Sequence, residues 1–179
     1  VIEAVRQGFA ARAVRSALAG RHARPLPPLA DRRVLVLLPD DAEGQRAAWD
    51  LLAGLEVPSR QVRPVLLGSL RADPPGPFAP DVKILGDDDR DWRRLPTAAV
   101  RAALWTPPPD VALNLADPDD LGAALLAGAS PAAVRIGRHH PDREAFYDLM
   151  IRGEPDAATA AVALGRLLDR LDPPVLPAR

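Results

Sequence analysis

Hydrophobic positions along the chain switch between two periods. In residues 2–18, Ile2, Val5, Phe9, Ala13 and Ala17 recur every three or four positions, with Arg6, Arg12 and Arg15 on the other faces, as in an amphipathic helix. Gly20 ends that pattern, and Pro25, Pro27 and Pro28 make a stiff extended connector. At Val34-Leu35-Val36-Leu37-Leu38 the apolar positions become continuous, as in a strand buried on both faces of a parallel sheet. A helical period follows. Asp40 precedes Glu43 at capping-box spacing, and Ala47, Ala48, Leu51, Leu52 and Leu55 form the inner face of a helix ending near Gly54. With a second strand predicted over residues 61–67, this makes one strand–helix–strand unit with a right-handed crossover.

The alternation continues. Residues 70–81, with Pro74, Pro75, Pro77 and Pro80, read as an exposed loop. A short third strand is predicted over 82–85, a loop over 86–92, a short helix over 96–104 and a fourth strand over 110–115. Asp117 as N-cap, Pro118 in the first turn and Asp119 and Asp120 behind it open a helix to about 127. A fifth strand falls over 132–136 and a sixth over 146–151; a last helix from Pro155 turns Ala157, Ala161, Leu164, Leu168 and Leu171 inward. The expected fold is a three-layer Rossmann-like α/β domain over residues 33–172, with a mainly parallel sheet of five or six strands. A basic amphipathic helix over 1–24 and a Pro-rich connector over 25–32 precede it, and a tail over 173–179 follows.

Composition narrows the function classes. With 47% apolar and 4% aromatic residues, the core is built from Ala, Leu and Val, and collagen-like and disordered classes are excluded. No apolar run approaches the roughly 18 residues of a spanning helix. The absence of Cys removes disulfides, a thiolate nucleophile and Cys-based zinc; it fits a reducing compartment, and the expected location is the cytoplasm. Lys83 is the only lysine beside 22 arginines, and Asp outnumbers Glu 19 to 5, which reads as coding bias rather than phosphate recognition. Residues 1–24 carry five Arg and one Glu, a net of +4 against −5 on the rest.

In a doubly wound sheet, ligands bind beyond the carboxyl ends of the strands. Those ends are Pro39-Asp40-Asp41, Gly68-Ser69, Gly86-Asp87, Asn114 with Asp117, and Gly137-Arg138-His139-His140. The first carries neither a Gly-x-Gly-x-x-Gly nor a P-loop, so NAD, FAD and Walker-type nucleotides are not expected and no cofactor is assigned. The ligand-binding candidates are Asn114, Gly137, Arg138, His139 and His140: Gly137 for close backbone approach, Arg138 for an anion, either histidine as general base. A solvated polar loop bending at Gly137 is the competing reading. No metal is expected, because adjacent histidines on extended chain point opposite ways and the acidic run from Asp87 to Asp91 lacks the Gly and terminal Glu of an EF-hand. A Gly-x-Ser-x-Gly elbow is absent. Trp49, Trp92 and Trp105 are scattered and read as packing residues.

Pro109-Asp110-Val111-Ala112-Leu113-Asn114, Ala133-Val134-Arg135-Ile136-Gly137 and Tyr147-Asp148-Leu149-Met150-Ile151, with the basic first helix and the strand at 34–38, resemble an uncharacterised family of small proteins from Bacteroidota. The resemblance spans most of the chain and implies a Rossmann-like domain of unknown function, with no assigned chemistry. Over a shorter stretch, Asp110 to Asn114 with Arg135-Ile136-Gly137 is similar to the acceptor-side half of heptosyltransferase-like glycosyltransferases. A chain of 179 residues is expected to hold that half without the donor-binding domain.

No constellation joins a nucleophile, an oriented base and an oxyanion site, so the favoured expectation is a non-enzymatic binding or scaffold module that docks partners through its N-terminal helix. The alternative is a glycosyltransferase-like or other enzyme acting on an anionic substrate at the strand ends. The partner-binding candidates are Ile2, Val5 and Phe9 with Arg6, Arg12 and Arg15 around them, unless that stripe docks on the protein's own body. A protein partner or self-association ranks above RNA or an anionic membrane surface. The stripe holds one aromatic and several alanines, thin for lipid, and a body of −5 repels nucleic acid.

Overall fold

The computed structural model describes residues 25–152 apart from 29, 30 and 56, together with 159. The expected N-terminal helix with its partner candidates, the expected last helix apart from Thr159, and the tail lie outside the described residues. Six strands, β1 (Val34–Leu38), β2 (Val62–Leu66), β3 (Lys83–Ile84), β4 (Val111–Asn114), β5 (Val134–Arg138) and β6 (Leu149–Ile151), form one sheet in the order β3-β2-β1-β4-β5-β6. Every pairing is parallel. This is the doubly wound order, with the reversal point between β1 and β4.

Each residue of β1 is buried because both faces of the strand are covered. Val34, Val36 and Leu38 meet Ala48, Trp49 and Leu52 of helix α1 (Ala42–Gly54). Leu35 and Leu37 point the other way, into a layer with Leu104 of α2 (Ala98–Leu104) and residues 123–127 of α3 (Leu121–Gly128). The helix between β1 and β2 and the one between β4 and β5 thus occupy opposite faces. Crossovers of one hand produce that arrangement when the chain leaves its starting strand in opposite directions across the sheet. The fold is the expected three-layer Rossmann-like domain. No helix among the described residues is long and apolar enough to cross a membrane.

Several boundaries differ from the sequence reading. Asp41, not Asp40, caps α1: its backbone is extended and its carboxylate accepts the Gly44 N–H at 2.6 Å. Asp120, not Asp117, caps α3, accepting from Gly122 at 2.8 Å and Ala123 at 3.0 Å, while Asp117 accepts from Asp119 in a tight turn before it. Strand β5 begins two residues later than expected, because the Asp110 carbonyl accepts the N–H of both Ala133 and Val134 and regular pairing starts at Val134 opposite Val111. β6 is shorter than expected because Pro141–Phe146 forms a 3-10 helix. The loop over 70–81 is not wholly exposed: Phe78 is buried, stacked on Trp49 with ring centroids 6.3 Å apart. Trp105 also packs, donating its indole N–H to the Leu126 carbonyl at 3.3 Å. Trp92 does not; it is 66% exposed, with Arg93 over its ring.

Candidate functional site

At the carboxyl end of β1 the chain presents carboxylates where a dinucleotide fold presents glycine. The Asp41 carboxylate closes the amino end of α1, and Asp40 accepts from the Ser69 N–H at 3.3 Å beside Arg71, 3.7 Å away. A phosphate seeking that helix end would meet two negative charges instead of free N–H groups. Below them Gln45, fully buried, uses its whole amide. It donates to the carbonyls of Pro39 and Ser69, each at 3.0 Å, and accepts from Arg71 at 2.7 Å and Ala72 at 3.0 Å. One side chain therefore rivets the end of β1 to the segment after β2.

Across the reversal point, Asn114 ends β4 directly opposite Gly137 in β5. Asn114 is buried; it donates to the Tyr147 hydroxyl at 2.6 Å and accepts from the Ala116 N–H at 3.0 Å. The Tyr147 ring lies over Gly137, where an added Cβ would stand 2.7 Å from ring carbons. Gly137 thus admits the tyrosine ring rather than an open approach to a ligand. Burial pushes the Tyr147 phenol up to about 12, outweighing the hydrogen bond from Asn114 that acts the other way.

His140 precedes the 3-10 helix and caps it: Nδ1 accepts from the Asp142 N–H at 3.1 Å, and Nε2 lies 3.0 Å from the Asp119 carboxylate. An Nδ1 that accepts is unprotonated, so the ring proton sits on Nε2 and points at Asp119. Neither nitrogen is left to take a proton from a substrate. His139 joins the sheet through its N–H to the Ile151 carbonyl at 2.9 Å, and its imidazole makes no hydrogen bond. Arg138 is half-buried at the end of β5, paired with Ile151 of β6.

The five candidates therefore share one edge, yet Asn114, Gly137 and His140 hold loops in place. Among the described residues no three His, Asp or Glu side chains converge on a point a metal could occupy. Three contributors were missed by sequence reasoning. Gln45 was detectable, since it falls on the same buried stripe as Ala48, Trp49 and Leu52. Tyr147, the single tyrosine, stands in one of the segments that carry the family resemblance, but that resemblance assigns it no role. Asp148 clamps Arg135, accepting its N–H at 2.8 Å and its guanidinium at 3.0 Å, a pairing across 13 residues with no local signature.

Comparison with protein-family models, curated proteins and solved structures finds no match. The functional reading rests on geometry and chemistry alone.

Proposed function

We propose that this protein is a non-enzymatic binding or scaffold module of the cytoplasm, whose α/β body carries the amphipathic segment 1–24 to a protein groove or to a second copy of the chain. The observation that supports this most is the engagement of His140. The best-placed general base at the carboxyl edge has both nitrogens committed to the fold. Asn114 and the amino end of α1 are similarly occupied. What the sequence leaves for recognition is the stripe of Ile2, Val5 and Phe9. Replacing all three with Glu in the full chain is expected to abolish self-association in light scattering, or capture of the partner in pull-downs, without changing the circular dichroism of the body. Binding that persists in the triple variant, or that weakens steeply between low and moderate salt, refutes the apolar-docking reading.

A second reading, glycosyltransferase-like or other chemistry on an anionic substrate, is favoured by one observation: His139 has an uncommitted imidazole beside Arg138. A saturable melting shift with nucleotide sugars that Arg138→Ala and His139→Ala each remove would carry it past the scaffold reading.

A further inference from the structure

The opposite edge of the sheet holds a cavity of about 450 Å³ at the amino ends of β1 and β2 and beside the proline segment that leads into β4. Its size falls within the roughly 300–1,000 Å³ of small-ligand sites. Arg33, Arg60 and Arg63 line it together with Asp31 and Asp81. The geometry points to this cavity as a binding site for a small phosphate ester bearing hydroxyl groups, independent of the reading of segment 1–24.

Two of the arginines are held from behind. Arg33 lies immediately before β1; the nearly buried carboxylate of Asp110 takes its backbone N–H at 2.8 Å and lies 3.4 Å from its Nε, and the Arg33 carbonyl accepts from Asp110 and Val111 in return. Both terminal nitrogens of its guanidinium stay available. Arg63 stands opposite Leu35 in β2 and projects onto the α2 face, where its guanidinium donates to the carbonyls of Leu104 and, at 3.2 Å, Thr106. Leu104 supplies the last carbonyl of α2, the end at which a cation is stabilised, and Thr106 lies two residues beyond it, so this side chain is fixed too. Of the five donors on a guanidinium, three remain for a ligand. Arg60, on the exposed turn before β2, makes no such contact and completes the set.

Three arginines lining one cavity suit a dianion with three acceptor oxygens better than a carboxylate, which one bidentate arginine satisfies. Asp31 and Asp81 have no side-chain partner and face the same space, ready to accept hydrogen bonds from hydroxyl groups. Arg63 and Asp81 also border a second cavity of about 440 Å³, walled by Val100, Ala103 and Leu104 with Lys83 at its rim. It provides an apolar surface for the remainder of the ester. The contrast with the carboxyl end of β1, where Asp40 and Asp41 would repel a phosphate, places the anion site on this edge.

Titration of the full-length protein with inorganic phosphate, glycerol 3-phosphate and succinate, at ionic strength matched with chloride, tests the site. Both phosphates are expected to give saturable calorimetric binding, glycerol 3-phosphate the tighter, with succinate weakest. Arg60→Ala, on an exposed turn with no contact to lose, is expected to weaken phosphate binding about ten- to a hundredfold, the effect of one charge-assisted hydrogen bond. Arg46→Ala, on the outer face of α1, should leave it unchanged. Asp81→Asn should abolish the preference for the glycerol ester. No saturable binding by either phosphate, or equal binding by wild type and Arg60→Ala, overturns the site. Succinate binding as tightly as phosphate overturns the phosphate assignment, and equal affinity for the two phosphates overturns the role given to Asp31 and Asp81.

Discussion

Tyr147 fastens the carboxyl edge through a single hydroxyl. Its 2.6 Å bond to Asn114 satisfies a buried amide, so Tyr147→Phe leaves that donor unpaired and is expected to cost about 1–3 kcal/mol in urea unfolding. The same phenol gives the protein an alkaline signature. Its folded value, about 12, lies above the ordinary 10, so between these two pH values the unfolded chain releases a proton that the folded one retains. Stability is therefore unaffected by this group below pH 10 and is lost progressively as pH rises toward 12, by up to about 3 kcal/mol. Because Tyr147 is the single tyrosine, tyrosinate absorbance reads it directly; ionisation near pH 10 in the folded protein would contradict the burial argument. Glycines sharpen the test. Gly137→Ala drives a methyl into the locked Tyr147 ring, at an expected cost of about 1–3 kcal/mol. Gly68→Ala meets only the exposed carboxylate of Asp40, which can swing aside, and should stay within about 0.5 kcal/mol.

At the scale of elements, helix starts separate what a sequence displays from what it hides. The four residues Asp117-Pro118-Asp119-Asp120 announce a helix, but three acids compete for one cap, and only backbone geometry selects Asp120. Asp120→Ala should accordingly cost about 1 kcal/mol and Asp117→Ala less than about 0.5 kcal/mol, as chemical denaturation will show; the reverse order would restore Asp117 as the cap. The strand at 34–38 was legible to the residue, because an unbroken β-branched and leucine run bounded by Arg33 and Pro39 has few other uses. The alternation of strands and helices was legible as well, and with it the edge on which Asn114, Gly137 and His140 meet. Less was legible where pairing is long-range. The burial of Phe78 depends on Trp49 in a different element, and the turn at Arg94 (φ 60°) puts a non-glycine residue in the left-handed region with nothing in its sequence to mark it. The engagement of His140 likewise depends on Asp119, brought near only by the sheet.

For the whole molecule, parallel order and two cores make stability uneven across the sheet. β1 lies at the centre, paired on both sides and covered on both faces, with no residue more than 2% exposed. β4 shares that environment. β3 is an edge of two exposed residues, Lys83 and Ile84, the short and charged form that discourages further strand pairing. Amide exchange should therefore divide the sheet. The protected amides of β1 and β4 are expected to exchange only by global unfolding, and those of residues 83–85 through local opening several kcal/mol less costly. The measurement also bears on how copies of the chain could associate. Association through segment 1–24 leaves the β3 edge in water and its exchange independent of protein concentration. If the amides of residues 83–85 instead become as protected as those of β1 when concentration rises, copies are pairing through the sheet edge, and docking by the N-terminal stripe is the wrong account of any dimer.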